Sequence, residues 1–317
     1  MQTREFTIGL DREISRIMSV GARYVHKWFI RTIEDTGVQV PGVGEEFFIA
    51  NPGYGLGAFP LGEEYPRTPF PKRVYDGFDI SFRRRLSNNW FANANILISR
   101  LWGNYSGLTS TDEGNRNSPN VNRFFDGLYM SFDQNGNPVY GRLQNDRPIQ
   151  FKLQGGYIMP WGTQAGFNFT AGSGYVNSTT VTYKSVPVFV YGRGDLGRSP
   201  AIYQTDLNFA HAFRLPRNLR AVVQFNIDNL FDQDQWTALA TTPYRDALTL
   251  PVICRPTAAT DRTCDGAFFD GFDVVTAMAN RVDAQGRPSP GRPNDTYGKQ
   301  SSFQGARSAR VMVKFLF

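Results

Sequence analysis

The residues that could do chemistry are few and far apart. Gly192, Gly194 and Gly197 satisfy G-x-G-x-x-G, the spacing with which a strand-to-helix turn cradles a pyrophosphate, but Pro200 and an alternating stretch follow where the helix must open. Arg193, Gly194 and Asp195 spell an adhesion tripeptide; in a glycine-rich loop they read as a turn. Asp133, Asn135 and Asn137 offer the first oxygens of a calcium loop. Glycine, however, stands at the fourth position instead of the sixth, and Gln144 replaces the bidentate glutamate, so an Asn-Gly hairpin turn explains FDQNGNPVYG better. Asp265, Asp270 and Asp273 in DGAFFDGFD have calcium chemistry but read better as a solvated loop. The two histidines, His26 and His211, fall on different expected strands, and there is no Ser-His-Asp set, H-E-x-x-H or zinc spacing. No catalytic residue, metal ligand or cofactor is expected, and the chain does not read as an enzyme.

Cys254 and Cys264 are the remaining reactive pair and the only cysteines. In an oxidising compartment two thiols this close form a disulfide. Closing so short a loop constrains the unfolded chain by about 2 to 3 kcal/mol.

The elements that would carry these residues are strands. With 26 Phe, 14 Tyr, 5 Trp, 31 Gly and 19 Pro, the composition is that of strands and turns. The net charge of +6 is mild and scattered, with no polybasic run, so nucleic acid is not an expected partner. No apolar run is long enough for a transmembrane helix, which leaves a membrane barrel open because its signal per strand is weaker. The start, MQTREFTIGLDREIS, does not have the pattern of a secretory signal; if the protein is exported, the sequence is expected to be a piece of something longer.

Strict apolar/polar alternation marks nine strands. They centre on Phe6 to Leu10, MSVGARYVHKW, GFDISFRRR, WFANANILIS, IQFKLQGGYIM, TQAGFNFTAG, YQTDLNFAHAF, LRAVVQFNIDN and the terminal SARVMVKFLF. One face should carry Phe78, Ile80, Phe82, Ala94, Ile96, Phe167, Phe169, Leu207, Phe209, Val223, Phe225, Val311 and Val313. The other should carry Arg23, Asp79, Arg83, Asn93, Asn95, Lys152, Gln154, Asn168, Asp206, Asn208, Gln224, Asn226 and Arg310.

A soluble sandwich would show the same alternation. The connections separate the two. Tight turns (LDREISRI, RRLSNNW, MPWGT, RLPRN) alternate with loops of about 40, 44, 28 and 73 residues, whereas loops longer than about 15 residues are uncommon in compact soluble domains. Short turns at one end and long loops at the other are the layout of an outer-membrane barrel. Trp90, Trp161 and Phe213 near the turn ends, and Trp28, Trp102, Tyr105 and Phe231 near the loop ends, fit two interfacial aromatic girdles. The expected fold is all-β: an antiparallel transmembrane β-barrel wall of about nine strands in one domain, 1–317, with the first set of thirteen residues toward lipid and the second toward the lumen.

The stretch YGRGDLGRSPAIYQTDLNFAHAFRLPRNLRAVVQFNIDNLFDQDQ, with its NLFD at Asn229 to Asp232, and the terminal RVMVKFLF resemble the end of a TonB-dependent outer-membrane receptor of the Oar-like group. GARYVHKWFIRTIEDTGV and SPNVNRFFDGLYMSFDQNGNPVYGRLQNDRP are similar to the same group. The resemblance implies a 22-stranded barrel, of which this chain is the C-terminal part, taking up a scarce siderophore, oligosaccharide or peptide in the cell outer membrane. Its partners would be outer-membrane lipid, an unknown small ligand and TonB, the last only through an N-terminal part that this sequence does not contain. The resemblance also gives the last strand, Val311, Val313, Phe315 and Phe317, the role of a signal to the barrel-assembly machinery. A passive porin or surface adhesin is the alternative. Nine strands are odd in number, so both edges run the same way; an open, curved sheet with unpaired edges is expected instead of a closed ring.

Overall fold

The computed structural model describes residues 1–40, 42–108, 110–112, 123–216, 219–253, 255–256, 262–263 and 265–317. Nine long strands form one antiparallel meander: β1 Gln2–Ser15, β2 Met18–Arg31, β3 Arg73–Ser87, β4 Trp90–Gly103, β5 Ile149–Ile158, β6 Gln164–Gly172, β7 Ile202–Arg214, β8 Arg220–Asp228 and β9 Ser308–Leu316. Each pairs only with its neighbours in chain order, apart from a short added strand, Gly141–Arg142, on the end of β4. Among the described residues β1 and β9 do not pair with each other, so the sheet is open and has two edges. Among the described residues helix is confined to short segments of the last loop, Gly266–Phe269 and Val274–Ala279, and to two 3-10 turns in earlier loops.

Register carries each face across the whole sheet. Directly opposite residues share a face, and Ile8, Tyr24, Phe78, Ile98 and Ile149 form one such row from β1 to β5. A second row runs Gly155, Phe167, Leu207, Ile227 and Ala309 from β5 to β9. A slip of one residue anywhere would put polar side chains into these rows. The register shifts in the wall lie at strand ends, at Gln2/Thr3 and Glu13/Ser15 of β1 and Arg84/Ser87 of β3, outside these rows.

The tight turns have local causes. Asn88 and Asn89 both adopt positive φ, 48° and 68°, the mirror-image hairpin turn that asparagine tolerates. Arg84 fastens it from inside, donating to the carbonyls of Ser87 (3.0 Å) and Trp90 and lying 3.5 Å from the Trp90 ring centroid. Beyond β8 the NLFD motif forms a knot. Buried Asn229 donates from Nδ2 to the carbonyls of Gln233 and Gly305, both at 2.8 Å, while its Oδ1 accepts from the Gln233 N–H at 2.9 Å. Asp232 accepts from the Arg307 N–H at 2.8 Å, which ties the approach of β9 to the end of β8.

The principal core is not in the wall. It is built in the long loops from Leu61, Tyr65, Tyr105, Phe124, Phe125, Leu128, Tyr129 and Met130, together with Phe268, Phe269 and Met278 from the last loop. Phe29 of β2 packs on it, so the loops gather into one cap at their end of the wall. Tyr105 belongs to that core. It is wholly buried against Phe124 and Phe125 and is not part of an aromatic girdle, because the loop after β4 turns inward over the sheet.

Candidate functional site

The candidate site is the pair of faces and the cap above them. All thirteen residues expected on the polar face share one face by register. Arg23 stands opposite Asp79, Arg83 opposite Asn93, and Asn95 opposite Lys152. Gln154, Asn168 and Asp206 make a row, as do Asn208, Asn226 and Arg310, with Gln224 two residues from Asn226 on β8. Their side chains bond to one another along and across strands. Asn95 donates to Asp79 (2.7 Å), and Asp206 accepts from Asn168 (3.2 Å), Gln204 (2.7 Å) and the Asn229 N–H (2.9 Å). Asn226 accepts from Asn208 and from Gln224, the latter at 3.1 Å, and Arg310 pairs with Asp228 at 3.1 Å. A groove of about 660 Å³ runs along this face at β6 to β9 between Asn168, Asp206, Asn226 and Arg310. Its polar lining is mostly carboxamide, Gln154, Asn168, Asn208 and Asn226, with Asp206, Asp228 and Arg310 among them.

The opposite face is apolar and bare. Ile8, Leu10, Phe78, Ile80, Ile98, Phe167, Phe209, Phe225, Val311 and Val313 are all exposed. A contiguous exposed apolar surface of this extent marks contact with a membrane or another protein. Trp90, Trp161 and Phe213 are exposed at the turn end, and Phe231 at the loop end. Val311, Val313 and Phe315 lie on this face of β9, and Phe317 is fully exposed beyond it.

The cap is held by buried charge that the sequence does not disclose. Arg193 of the RGD triplet pairs with Asp112 at 2.9 Å, the two side chains only 2% and 3% exposed, and Asp195 accepts from the Thr179 N–H at 2.8 Å. The triplet is thus an internal fastening and presents no arginine to a partner. Asp265 is buried as well, against the expectation of a solvated loop. It accepts from Tyr129 (2.8 Å) and Tyr183 (3.4 Å) and pairs with Lys184, joining three loops. Burial, reinforced by Asp265, pushes both phenols well above their ordinary pKa, so they stay neutral donors. Asp270 pairs with Arg255, and Asp273 caps the helix Val274–Ala279 through the Thr276 N–H at 2.7 Å. With each carboxylate taken by a separate partner, the three aspartates do not converge on a cation. Asp133 likewise turns Oδ1 to the N–H groups of Asn135 (2.8 Å) and Asn137 (2.9 Å), closing a hairpin turn with Gly136 at φ 73°.

His26 and His211 are separate, the first bonded to Asp76 (2.7 Å), the second to Thr163 (2.9 Å). Cys254 and Cys264 lie outside the described residues. Their neighbours Arg255 and Thr263 pair directly across an antiparallel ladder.

No family model matches the chain. It is 30% identical, across 99% of its length, to the TonB-dependent transporter Oar of Myxococcus xanthus, and it spans 28% of that relative. Among solved structures it is similar to the outer membrane transporter YddB from Escherichia coli, at 14% identity and a TM-score of 0.48. That match covers 75% of this chain and 30% of the other.

Proposed function

We propose that this chain, similar over 99% of its length to a TonB-dependent transporter, forms part of the wall of an outer-membrane transporter that takes up a scarce ligand with energy delivered through TonB. The single observation that carries the reading is the two-faced open sheet: an apolar face bare along all nine strands, a polar face bonded to itself, and all four long loops gathered at one end. A soluble sandwich would bury the apolar face against a second sheet. Among the described residues the other sheets are two-stranded ladders of the loops, and the apolar face stays exposed.

The division of labour follows from the faces. The apolar face lies against lipid; the carboxamide-rich face, with Asn168, Asp206, Asn208, Asn226 and Arg310, lines the lumen, where further strands complete the ring and close the edges of β1 and β9. The loop cap stands outside the cell, as long loops do in such barrels. A rigid cap fastened by Asp112–Arg193 and Asp265–Lys184 would hold ligand-selecting surfaces in fixed positions, the usual role of loops on a stable scaffold. The polar wall, poor in net charge, suits a ligand recognised by hydrogen bonds.

The test is energy dependence. Uptake through the full-length transporter should stop when TonB is deleted or the proton-motive force is collapsed. Uptake that continues unchanged under both treatments would point to a passive porin instead.

A further inference from the structure

Where the wall meets the loop cap its apolar face changes character. Trp102 of β4 lies opposite Arg142, and Arg100 lies opposite Asp76, so both arginines stand on the same face as Ile98 and Ile149, just beyond them toward the loops. Together with Trp102, Arg198, Gly194 and Gly197 they line a pocket of about 380 Å³. Arg198 is fixed in place by Asp146, whose Oδ1 also accepts from the Leu101 N–H at 2.7 Å. The lining Arg193 is buried and paired with Asp112. Arg100 and Arg142 differ. Both are exposed, and neither forms an ion pair among the described residues. Asp76, which faces Arg100 across the strands, is taken by His26 at 2.7 Å and the Tyr24 hydroxyl at 2.8 Å. Beside them Trp102 stacks on Tyr140 with ring centroids 5.6 Å apart, and the Lys72 ammonium lies 4.9 Å from the Tyr140 centroid.

We propose that this pocket binds the phosphorylated headgroup of a lipid in the loop-side leaflet, with its acyl chains along Ile98 and Ile149. Guanidinium forks match phosphate oxygens in pairs, and aromatic rings at this level mark the interface where headgroups lie. Exposed Ile98 and Ile149 pair on the same face two residues from Arg100, an apolar surface that a free anion would leave unused and that acyl chains would cover. The inference rests on the reading of the apolar face as the lipid face.

Native mass spectrometry of the full-length transporter in detergent tests it, with phosphatidic acid as the probe, phosphatidylcholine as the comparison and inorganic phosphate as the competitor. Phosphatidic acid should be retained in preference to phosphatidylcholine. The double variant Arg100→Gln, Arg142→Gln should weaken that retention about thirtyfold, each cation near a lipid phosphate being worth a factor of about five. The pair Arg23→Gln, Arg83→Gln, on the opposite face, should leave it unchanged. No loss in the first variant, an equal loss in the second, or full displacement by inorganic phosphate overturns the lipid site. The underlying reading fails separately: if Phe225→Arg inserts into membranes as well as the parent, the apolar face is not a lipid face. If that variant fails to insert while lipid retention is indifferent to Arg100 and Arg142, only the present inference falls.

Discussion

Replacing Phe225 with arginine should impair membrane insertion, whereas the same residue one position earlier should not. Phe225 sits in the middle of β8, opposite Phe209 on β7 and Val311 on β9, and all three rings or branches are exposed on the apolar face. An arginine on the lipid face of a barrel near the midplane costs about 2 to 4 kcal/mol, which is about 30- to 700-fold in the folded-to-unfolded ratio. Gln224 points the other way, opposite Ala210 and Met312, and bonds to Asn226 at 3.1 Å. Gln224→Arg gives up that bond, worth about 1 kcal/mol, and places its charge on a face where Asp228 already accepts Arg310. The assay is urea-dependent refolding of the full-length transporter into phosphatidylcholine vesicles, followed by the shift in gel mobility between folded and heated samples. The folding midpoint should fall markedly for Phe225→Arg and barely for Gln224→Arg. Equal shifts, or a larger one for Gln224→Arg, would refute the assignment of faces.

Further predictions concern the cap. Asp112→Ala leaves the Arg193 guanidinium buried without its counter-charge, a change that costs about 3 to 5 kcal/mol when a buried pair is broken; hydrogen exchange should accelerate in the loops and stay slow in β3 to β8, and unchanged loop protection would show that the pair holds nothing. Asn229→Gly keeps the positive φ of 53° but removes three side-chain hydrogen bonds, so about 2 to 4 kcal/mol of stability at the β8 end should be lost, as read by a lowered denaturation midpoint. Hydrogen bonds from Arg292 hold the Asp246 carboxyl well below its ordinary range. Its contribution should therefore be complete above about pH 4 and disappear only as pH falls through the depressed folded value. Protection of the last loop should follow that course in the parent and become insensitive to acid in Asp246→Asn. Cys254 and Cys264 should be bridged in the exported protein, since Arg255 and Thr263 beside them pair across a ladder; labelling of two thiols without reduction would refute the bridge.

The wall was legible because a period of two leaves a mark on every residue. A run such as LRAVVQFNIDN assigns Phe225 and Gln224 to opposite faces before any partner strand is known, and neighbouring strands in chain order pair by default once tight turns join them. The direction of each strand, and with it the parity of the two edges, then follows from the turns. The cap left no such mark. Tyr105, Phe124 and Phe125 sit in irregular segments and Phe268 in a four-residue helix too short to show a repeat, so Tyr105 reads equally well as a girdle aromatic and as core. Lys184 and Asp265 are 81 positions apart, and Arg193 and Asp112 also come from different loops; pairing at that separation depends on how the loops fold over one another, which local pattern does not record. Asp265 therefore looked solvated. The one hint was the apolar FF that follows it, a poor neighbour for an exposed carboxylate.

The most direct test of the account is whether β1 and β9 are neighbours in the full-length transporter. In the structure they are the two unpaired edges of an open sheet, and the account places further strands between them. Cysteines at Ile8 and Val313, oxidised in intact outer membranes, should not cross-link, while cysteines at the registered partners Ile8 and Tyr24 should cross-link efficiently under the same conditions. Efficient bridging of Ile8→Cys to Val313→Cys would mean that these nine strands close on themselves, and would contradict the claim that they are one part of a larger wall.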